Sequence, residues 1–466
     1  MSKRDGQTSR RQLLQTAGAV AAFTIVPRHV LGQGQTPPSE KINLAAVGTR
    51  GQAASDIQPL APGNNLVALC EVDQREGGKR QSVIPKFPDA KVFEDFREML
   101  AALGDKIDAV IVGTPDHTHA VAAMAAIKRG KHVYCEKPLA HSVGEIRALM
   151  KAAQEHKVVT QMGNQGHSFE AIRVFCEWIW DGAIGNVHTV HCGCSYINSA
   201  LSESTRWAEK SARSELSRLD EKEEVPARLN WDLWLGPAPQ RPYHSFYLPG
   251  SWRRWTAFGS GTIGDWICHV ADPVFWALDL GAPQSVVAQA KDYDPKTQGE
   301  TYPVGDIITF EFAAQGRRRP VTLVWHSGTE KIPAPKELEP GRKGITTYDT
   351  GAYVYGDKGV IAYGSHGAEP VRIIPETAMK AYKLPPKKLP RVKNHYADWL
   401  RAIREGGKAG SDFSYGGPLA ELAMLGIIAL KMPDTKLQWD GPNMRFTNSD
   451  EANRYLTPTY RQGWSL

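Results

Sequence analysis

The sequence predicts an α/β fold in which an N-terminal, doubly wound parallel sheet is followed by an α/β domain with a large, mostly antiparallel open sheet. Between residues 42 and 162, short apolar runs alternate with segments of helical length, as crossover connections between parallel strands require. Beyond residue 165, strand-like runs follow one another with few helices between them. With 466 residues, 41% of them hydrophobic and 23% charged, the chain is long enough for two or three globular domains.

The predicted elements divide the chain into a leader at residues 1–32, a linker at 33–41, a first domain at 42–165 and a second domain at 166–466. In the first domain we expect strands at 42–48, 65–70, 92–93, 108–112, 132–135 and 158–162, and helices at 52–60, 75–85, 96–103, 120–129 and 143–155. In the second domain we expect strands at 186–197, 285–291, 306–313, 320–326, 353–356 and 371–374, helices at 169–181, 395–405 and 419–430, a charged surface insertion at 199–225 and aromatic loops at 231–258.

The leader carries most of the net charge of +6, because residues 1–32 hold five basic residues and one acidic residue. The rest of the chain is nearly neutral, which does not provide the basic surface that a nucleic-acid partner requires. Arg10 and Arg11 are followed by two leucines and by an apolar run at Ala17–Val26. This arrangement resembles a Tat export signal, which implies the Tat machinery as a partner and a periplasmic or otherwise exported location. A basic amphipathic leader and an uncleaved anchor are the alternatives, although ten apolar residues are too few for a stable membrane span of about 20.

The first predicted strand runs into a glycine-containing turn, Gly48-Thr49-Arg50-Gly51. Small residues at such a turn let backbone amides at a helix N-terminus approach a pyrophosphate. Arg50 occupies the place of the usual second glycine, and Gly51 is positioned to move the close approach by one residue. Glu71 ends the next strand, 23 residues after Gly48. A carboxylate there accepts hydrogen bonds from a ribose diol and repels a 2′-phosphate, so NAD is favoured; nearby Arg75 and Lys79 leave NADP as an alternative.

Five motifs in order carry a resemblance to a known family. They are Gly48-Thr49-Arg50-Gly51, Cys70-Glu71-Val72-Asp73, Thr114-Pro115-Asp116-His117-Thr118-His119, Glu136-Lys137-Pro138 and Asp265-Trp266-Ile267-Cys268-His269. Residues 41–290, and more loosely 413–430, resemble the Gfo/Idh/MocA oxidoreductases, which include glucose–fructose oxidoreductase and inositol dehydrogenase. The resemblance implies a Rossmann domain followed by an α/β domain whose open sheet often forms an oligomer interface, and hence a homo-oligomer, a dimer or a tetramer.

The resemblance also assigns the chemical centre. It implies that Lys137, just after a strand, contacts the cofactor and the reacting hydroxyl. Asp265 and His269 are four residues apart and share a face on a helix. We expect His269 to be the general base and Asp265 its partner; a first-turn helix acid and a buried core histidine are the structural alternatives. Asp272 is a weaker candidate, because an aspartate before Pro273 also suits a turn or a helix terminus.

Further contacts are expected around this centre. Side-chain amides at the junction of the two domains suit the nicotinamide carboxamide or substrate hydroxyls, although this segment is also typical of a hinge. Aromatic loops with polar groups suit sugars, although tryptophan is also a common core residue. The predicted cofactor-binding residues are Gly48, Thr49, Arg50, Gly51, Glu71, Thr114, Pro115, His119, Glu136, Lys137 and Asn164. The predicted substrate-binding residues are Lys137, Gln165, Tyr243, His244, Trp252, Arg253, Asp265 and His269.

The six cysteines predict neither a disulfide framework nor a metal site. Their spacing contains no C-x-x-C pair, which zinc sites commonly use. Cys192 and Cys194 share one face of a predicted strand, where buried free thiols are favoured over a disulfide or a metal.

We therefore expect an NAD-dependent oxidoreductase that takes a hydride from a secondary alcohol of a sugar, a glycoside or a cyclic polyol. An exported protein has no free nicotinamide pool around it, so the cofactor is expected to be tightly bound, with NADP as the alternative. An NAD-dependent glycosidase that uses transient oxidation and elimination is one alternative activity. A non-catalytic sugar-binding protein of the same fold is another.

Overall fold

A six-stranded parallel sheet forms the first half of the structure. The structure is a computed structural model that describes residue 37 and residues 40–76, 81–201, 215–341 and 349–466. The strands are β1 (Asn43–Val47), β2 (Asn65–Cys70), β3 (Lys91–Phe93), β4 (Ala109–Val112), β5 (His132–Glu136) and β6 (Thr160–Gly163), and the helices are α1 (Gln52–Leu60), α2 (Phe96–Leu103), α3 (Asp116–Ile127) and α4 (Val143–Glu155). The strand order is β3-β2-β1-β4-β5-β6. The order reverses between β1 and β4, which is where doubly wound sheets bind ligands.

The helices of this half agree with the predictions except at two places. The helix expected at 75–85 is wrong in its described part, because residues 81–83 are irregular and only Ile84–Lys86 form a single 3₁₀ turn; Pro85 and Pro88 remove amide donors that an α-helix needs. Residues 77–80 of that prediction lie outside the described residues. Helix α3 begins at Asp116, earlier than expected, directly after Pro115.

A nine-stranded mixed sheet forms the second half. Its strands are β7 (Val187–Cys194), β8 (Ser285–Gln289), β9 (Gly305–Phe312), β10 (Val321–Gly328), β11 (Gly351–Gly356), β12 (Gly359–Gly364), β13 (Val371–Ile374), β14 (Leu437–Asp440) and β15 (Arg445–Phe446). The order is β13-β12-β11-β7-β10-β9-β8-β14-β15. Among the described strand pairings of this second sheet, only the β7–β10 pair is parallel. The predicted fold class, a parallel sheet followed by a mostly antiparallel one, is confirmed.

Nine helices accompany this sheet in the described chain, besides the four-residue segment Ser365–Ala368, whose backbone is not helical throughout. They are α5 (Glu170–Trp180), α6 (Trp231–Leu235), α7 (Gly261–Val270), α8 (Asp272–Leu278), α9 (Pro295–Gln298), α10 (Glu376–Ala381), α11 (His395–Glu405), α12 (Phe413–Leu430) and α13 (Asp450–Asn453). Helix α12 is the one described helix long and apolar enough to cross a membrane, but 78% of its apolar window is buried inside the protein. It packs against α4, α7 and β8, so it is a core helix. The leader lies outside the described residues.

An aromatic insertion, residues 229–258, lies between β7 and α7. Its rings form a separate core cluster of Trp231, Trp234, Tyr243, Phe246, Tyr247, Trp252, Trp255 and Phe258. His117 on α3 packs against Trp234 and Phe258 at ring-centroid distances of 5.3 and 5.1 Å. These contacts attach the insertion to the first sheet's third helix, so that the insertion covers one side of the sheet's carboxyl edge.

All six cysteines are buried and none of them forms a disulfide. Burial raises the pKa of the Cys268 thiol to about 12, so that thiol is neutral at physiological pH. Cys192 and Cys194 lie on β7 with both side chains in the core, which confirms the interpretation of buried strand cysteines. Among the described residues, no group of three or more histidine, cysteine, aspartate or glutamate side chains could hold a metal ion.

Candidate active site

An open cleft of about 1180 Å³ lies at the carboxyl edge of the parallel sheet. The predicted cofactor-binding residues that line it are Gly48, Thr49, Arg50, Gly51, Glu71, Thr114, Pro115, His119, Glu136 and Lys137. From the other half of the protein, Leu233, Trp234, Leu248, Pro249, Gly250, Trp252, Arg253 and Trp464 line the cleft. Ten of the eleven predicted cofactor-binding residues are therefore brought together in one place.

The turn between β1 and α1 can be built only with glycine at its first position. Gly48 has φ +91°, and a Cβ atom there would lie 2.8 Å from the carbonyl oxygen of Gly113 on the neighbouring strand connection. Helix α1 starts after Gly51 with no side-chain cap. Its first backbone N–H groups therefore remain available to an anion in the cleft.

Arg50 does not obstruct this turn. Its Nε donates a hydrogen bond to the carbonyl oxygen of Asp73 at 3.1 Å, and its guanidinium also contacts the carbonyl oxygen of Arg75. The side chain therefore extends along the connection after β2. The backbone of the turn stays exposed to the cleft, as a pyrophosphate site requires.

Glu71 is held at the end of β2 with its carboxylate towards the cleft. Its Oε2 accepts hydrogen bonds from the Thr49 amide at 3.0 Å and the Thr49 hydroxyl at 2.8 Å, and its Oε1 accepts one from the Asp73 amide at 3.0 Å. A carboxylate has about four lone-pair sites, so capacity remains for a ribose hydroxyl. Arg75 donates hydrogen bonds to both Asp73 carboxylate oxygens, at 2.7 and 2.8 Å. The arginine that left NADP as an alternative cofactor is therefore already paired with an acidic side chain. These residues fit an NAD molecule.

Lys137, Asp265 and Arg253 converge at one end of the cleft. Lys137 Nζ lies 2.7 Å from Asp265 Oδ1 and 2.7 Å from the Asp265 carbonyl oxygen, and Arg253 Nε lies 3.1 Å from the same Oδ1. Burial opposes the ionisation of Asp265, but the charges of Lys137 and Arg253 outweigh it and hold the pKa of that carboxyl well below its usual range. Burial likewise opposes the charge on Lys137, but Asp265 raises the pKa of the ammonium group. Asp265 and Lys137 are therefore both charged at neutral pH.

His269 lies one turn of α7 beyond Asp265 and is 5% exposed. The expectation that Asp265 is its hydrogen-bond partner is wrong, because the aspartate is turned towards Lys137 and Arg253 and His269 Nδ1 has no partner among the described residues. Burial, followed by the charge repulsion of His366 and Lys137, lowers the pKa of His269 well below its ordinary value. The imidazole is therefore neutral and able to accept a proton.

His366 joins the site although no motif marked it. Its ring stacks on that of His269 with 4.3 Å between centroids and 30° between planes, and lies edge-on to Trp266 at 5.5 Å. The residue belongs to the turn between β12 and β13, about 100 residues from His269 in sequence. A lone histidine beside Gly367 carries no signal in a single sequence.

Two residues that were predicted to contact the cofactor or the substrate make hydrogen bonds to other side chains inside the protein. Asn164 donates from Nδ2 to Asp272 Oδ2 at 3.0 Å and accepts a hydrogen bond from Ser411 at 2.6 Å. Gln165 donates to Glu136 Oε1 at 2.7 Å. Neither lines the cleft as described. They hold Glu136 and Asp272 in place, because a buried carboxylate needs hydrogen-bond donors.

Tyr243 and His244 lie elsewhere than expected. Both pack within the aromatic insertion, where the His244 ring stacks on Phe246 at 4.5 Å and its Nε2 lies 3.0 Å from the Leu219 carbonyl oxygen. Neither residue is among the described residues that line the cleft. Trp252 and Arg253 do line it, with the guanidinium 4.1 Å above the indole.

The fold and the site together define a protein with a nucleotide-binding parallel sheet followed by a second α/β domain. A family model for the oxidoreductase family with an NAD-binding Rossmann fold matches residues 42–164, and the model for the family's C-terminal α/β domain matches residues 194–309. The matches cover about half of the chain, and the chain belongs to the Gfo/Idh/MocA oxidoreductase family. The resemblance read from the five motifs is confirmed.

Curated relatives match only in part. Inositol 2-dehydrogenase of Rubrobacter xylanophilus is 35% identical over 120 residues, which are 25% of this chain and 33% of the relative. Levoglucosan dehydrogenase of Pseudarthrobacter phenanthrenivorans is 36% identical over 81 residues, 17% of this chain and 21% of the relative. The chain thus spans a third or less of the length of these two relatives.

Solved structures of low sequence identity share the fold over most of the chain. The Bordetella pertussis WlbA dehydrogenase, in complex with NADH and UDP-GlcNAcA, has a TM-score of 0.56 and 16% identity, and covers 86% of this chain and 99% of its own. An inositol dehydrogenase homologue of Azotobacter vinelandii, in complex with NADH and myo-inositol, has a TM-score of 0.53 and 16% identity, with coverage of 86% and 98%.

Proposed function

We propose that the protein is an NAD-dependent oxidoreductase that takes a hydride from a secondary alcohol of a sugar, a glycoside or a cyclic polyol. One observation carries the proposal: the charged Lys137–Asp265 pair, with Nζ and Oδ1 2.7 Å apart, lies at the end of the nucleotide cleft, one helical turn from the neutral His269. Oxidation of a carbinol needs a cation near the oxygen and a base for its proton. Both kinds of group are present there.

The protonation states of Lys137 and His269 give these two residues different roles in the proposed reaction. Lys137 is held as an ammonium by Asp265, so it donates a hydrogen bond to the substrate oxygen and stabilises the negative charge that develops on it. His269 is neutral and accepts the hydroxyl proton. Arg253 and Asp265 keep Lys137 in position. When bound, nicotinamide supplies the hydride acceptor, so the C–H hydrogen leaves as hydride while the O–H hydrogen goes to His269.

The relatives support this class of substrate and cofactor. Two are named for dehydrogenation of inositol and of levoglucosan, a polyol and a sugar derivative. Solved neighbours of the same fold were obtained with NADH and myo-inositol or levoglucosan. Glu71, rather than a free basic group, faces the cleft from the end of β2, which supports NAD over NADP.

A redox-neutral lyase or glycosidase is the second candidate. Two further relatives are named 2,7-anhydro-N-acetylneuraminate hydratase, from Mediterraneibacter gnavus and Escherichia coli, and each is 34% identical over fewer than 90 residues. The same lysine and histidine would serve a transient oxidation followed by elimination. The third reading, a non-catalytic sugar-binding protein, does not account for a buried charged lysine beside a neutral histidine.

The nucleotide and the reaction are tested together. The purified protein is denatured and the released nucleotide identified by mass spectrometry, and NAD is expected. A panel of polyols and sugars is then assayed with wild type, Lys137→Ala and His269→Ala, and we expect each variant to lose about 100-fold or more in kcat. Lys151→Ala is the control, because that lysine is 75% exposed on α4. Absence of nucleotide, or variants that match wild type, would refute the proposal. Aglycone release from a p-nitrophenyl glycoside without net oxidation would select the glycosidase.

Export and assembly belong to the same proposal. The twin arginines Arg10 and Arg11 support export of the folded protein through the Tat machinery to the periplasm, in keeping with a cofactor that is bound before export. We expect Arg10→Lys/Arg11→Lys to abolish periplasmic activity, and unchanged export would refute the assignment. The open nine-stranded sheet supports a homo-oligomer, which light scattering of the purified protein tests.

A further inference from the structure

The turn that carries His366 is conformationally strained. Within Ser365–Ala368, His366 has φ 52° and ψ 75°, Gly367 has φ 71° and Ala368 has φ 66°. Left-handed backbone conformations are costly for residues with a Cβ atom. Two such residues flank one glycine here, so the surrounding structure must impose this conformation.

Close packing of this turn against the end of the first sheet imposes its left-handed conformation. Gly367 lies directly against Gly166, and a Cβ atom on either residue would collide with the backbone of the other. Gly166 belongs to the single turn Gln165–Ser168 that follows β6. The strained turn is therefore pressed onto the segment that leaves the nucleotide-binding sheet, and this contact directs the His366 side chain to His269.

The two imidazoles form a stacked pair inside a ring of charged and titratable groups. The charged and titratable groups that act electrostatically on His269 are Lys137 after β5, Asp265 from its own helix, His395 from α11 and His366 from the turn. His269 Nδ1 has no hydrogen-bond partner among the described residues, while His366 Nδ1 lies 3.0 Å from the Ser365 hydroxyl. Contact with the ring of His366 therefore fixes the plane of a histidine that lacks a hydrogen bond at Nδ1.

We propose that His366 is a positioning residue of the active site, which holds the His269 ring by stacking and keeps it available as a free base for the substrate's hydroxyl proton. The inference rests on the proposed function, in which His269 accepts that proton. It explains why a strained conformation is kept at a residue remote in sequence from every motif. It also accounts for the orientation of His269 without the aspartate that its helical spacing suggests.

The sign of the expected pH effect follows from the arrangement. Burial lowers the pKa of both rings, and that of His269 is lowered further by His366 and Lys137. His366 is more exposed than His269 and takes up a proton first as the pH falls. Its positive charge then suppresses protonation of His269. Removal of the His366 imidazole therefore raises the pKa of His269, and the acid limb of the activity profile moves to higher pH.

Two substitutions separate stacking from charge. His366→Asn suits the left-handed conformation but removes the ring; we expect kcat to fall at least tenfold with KM changed less than threefold, and the acid limb of kcat/KM to rise by half a pH unit or more. His366→Phe keeps a stacked ring without a charge; we expect the same shift of the acid limb and a smaller loss of kcat. Ala368→Gly is the matched control: it relieves strain in the same turn and should leave kcat, KM and the pH profile unchanged.

An NMR titration of His269 provides a readout that does not depend on turnover. The His269 signal is assigned by comparison with His269→Gln, and its pKa is measured in wild type and in His366→Phe, with thermal melting to verify folding. A raised pKa with a shifted acid limb supports the inference, and unchanged values overturn it. If no alcohol is oxidised by any variant, the proposed function fails, while the NMR titration still decides whether His366 controls the protonation of His269.

Discussion

Gly51 shows how one residue accommodates the arginine that precedes it. Its backbone has φ 56° and ψ −122°, a combination that is essentially restricted to glycine. Position 51, rather than position 50 where turns of this kind usually have glycine, is therefore the place where the backbone could come close to a ligand. Arg50 is then free to extend along the β2 connection, where its guanidinium binds the carbonyl oxygen of Asp73. The shift of the close approach by one residue stays a prediction, and the backbone of Gly51 is consistent with it.

The buried carboxyl group of Asp306 lowers the stability of the folded protein as the pH rises. This residue on β9 is 4% exposed, its Oδ1 has no hydrogen-bond partner among the described residues, and burial raises its pKa to about 7. Since the unfolded value is about 3.9, the folded state binds the extra proton between these pH values, and stability falls as the pH rises from about 4 to 7. Asp306→Asn removes this loss, so we expect it to be more stable than wild type by about 2 kcal/mol at pH 8.

Urea unfolding at pH 8 and at pH 4.5 measures this effect. The advantage of Asp306→Asn over wild type should be large at the higher pH and small at the lower one. Asp357→Asn is a control on the exposed surface of the same sheet's hairpin and should show no such gain. An equal advantage of Asp306→Asn at both pH values would show that the carboxylate is not the cause.

At the scale of elements, local signals predicted the first sheet closely and the second less so. Three helices, α1, α2 and α4, and strand β2 have the predicted bounds. Each combines regular hydrophobic periodicity with a clear turn at its ends. Strand β12 was missed although it is apolar, since only the two residues Asp357 and Lys358 separate it from β11. Helix α12 begins six residues before the predicted start because Gly416, Gly417 and Pro418 mask its first turns.

The residues of the candidate site also differ in how well the sequence predicts them. Lys137 and Asp265 could be predicted because each belongs to a local motif, at the end of a strand or on a helix face. Arg253 could be predicted because it lies in an aromatic loop with polar groups. The partner of Asp265 could not, because the i, i+4 spacing places Asp265 and His269 on one face without determining which neighbour the carboxylate binds. His366 depends on the contact of Gly367 with Gly166, 201 positions away in sequence, and a single sequence carries no record of such a contact.

At the scale of the whole molecule, the segment Thr457–Leu466 ties the halves together across the cleft. Arg461 binds Asp232 at 2.7 Å on the aromatic insertion, and Tyr460 donates to Glu145 at 2.6 Å on α4. Lys128, directly after α3, donates to the Leu466 carbonyl oxygen at 2.8 Å. The segment thereby holds Trp464 at the cleft wall beside the start of α2, with Arg97 4.4 Å above its ring.

This placement predicts that Trp464 retains the nucleotide. An indole beside Phe96, with 6.0 Å between ring centroids, offers an apolar face to an adenine at that end of the cleft, and such a contact contributes about 1–3 kcal/mol. We expect Trp464→Ala to lose bound nucleotide at least fivefold faster than wild type during gel filtration, as measured by mass spectrometry of the denatured fractions. Trp464→Phe should retain it, and Trp180→Ala, at a tryptophan that is 47% exposed on α5, is the control. Equal retention in Trp464→Ala and wild type would show that the segment closes the cleft without holding the cofactor, because only contact with the nucleotide makes its release depend on that ring.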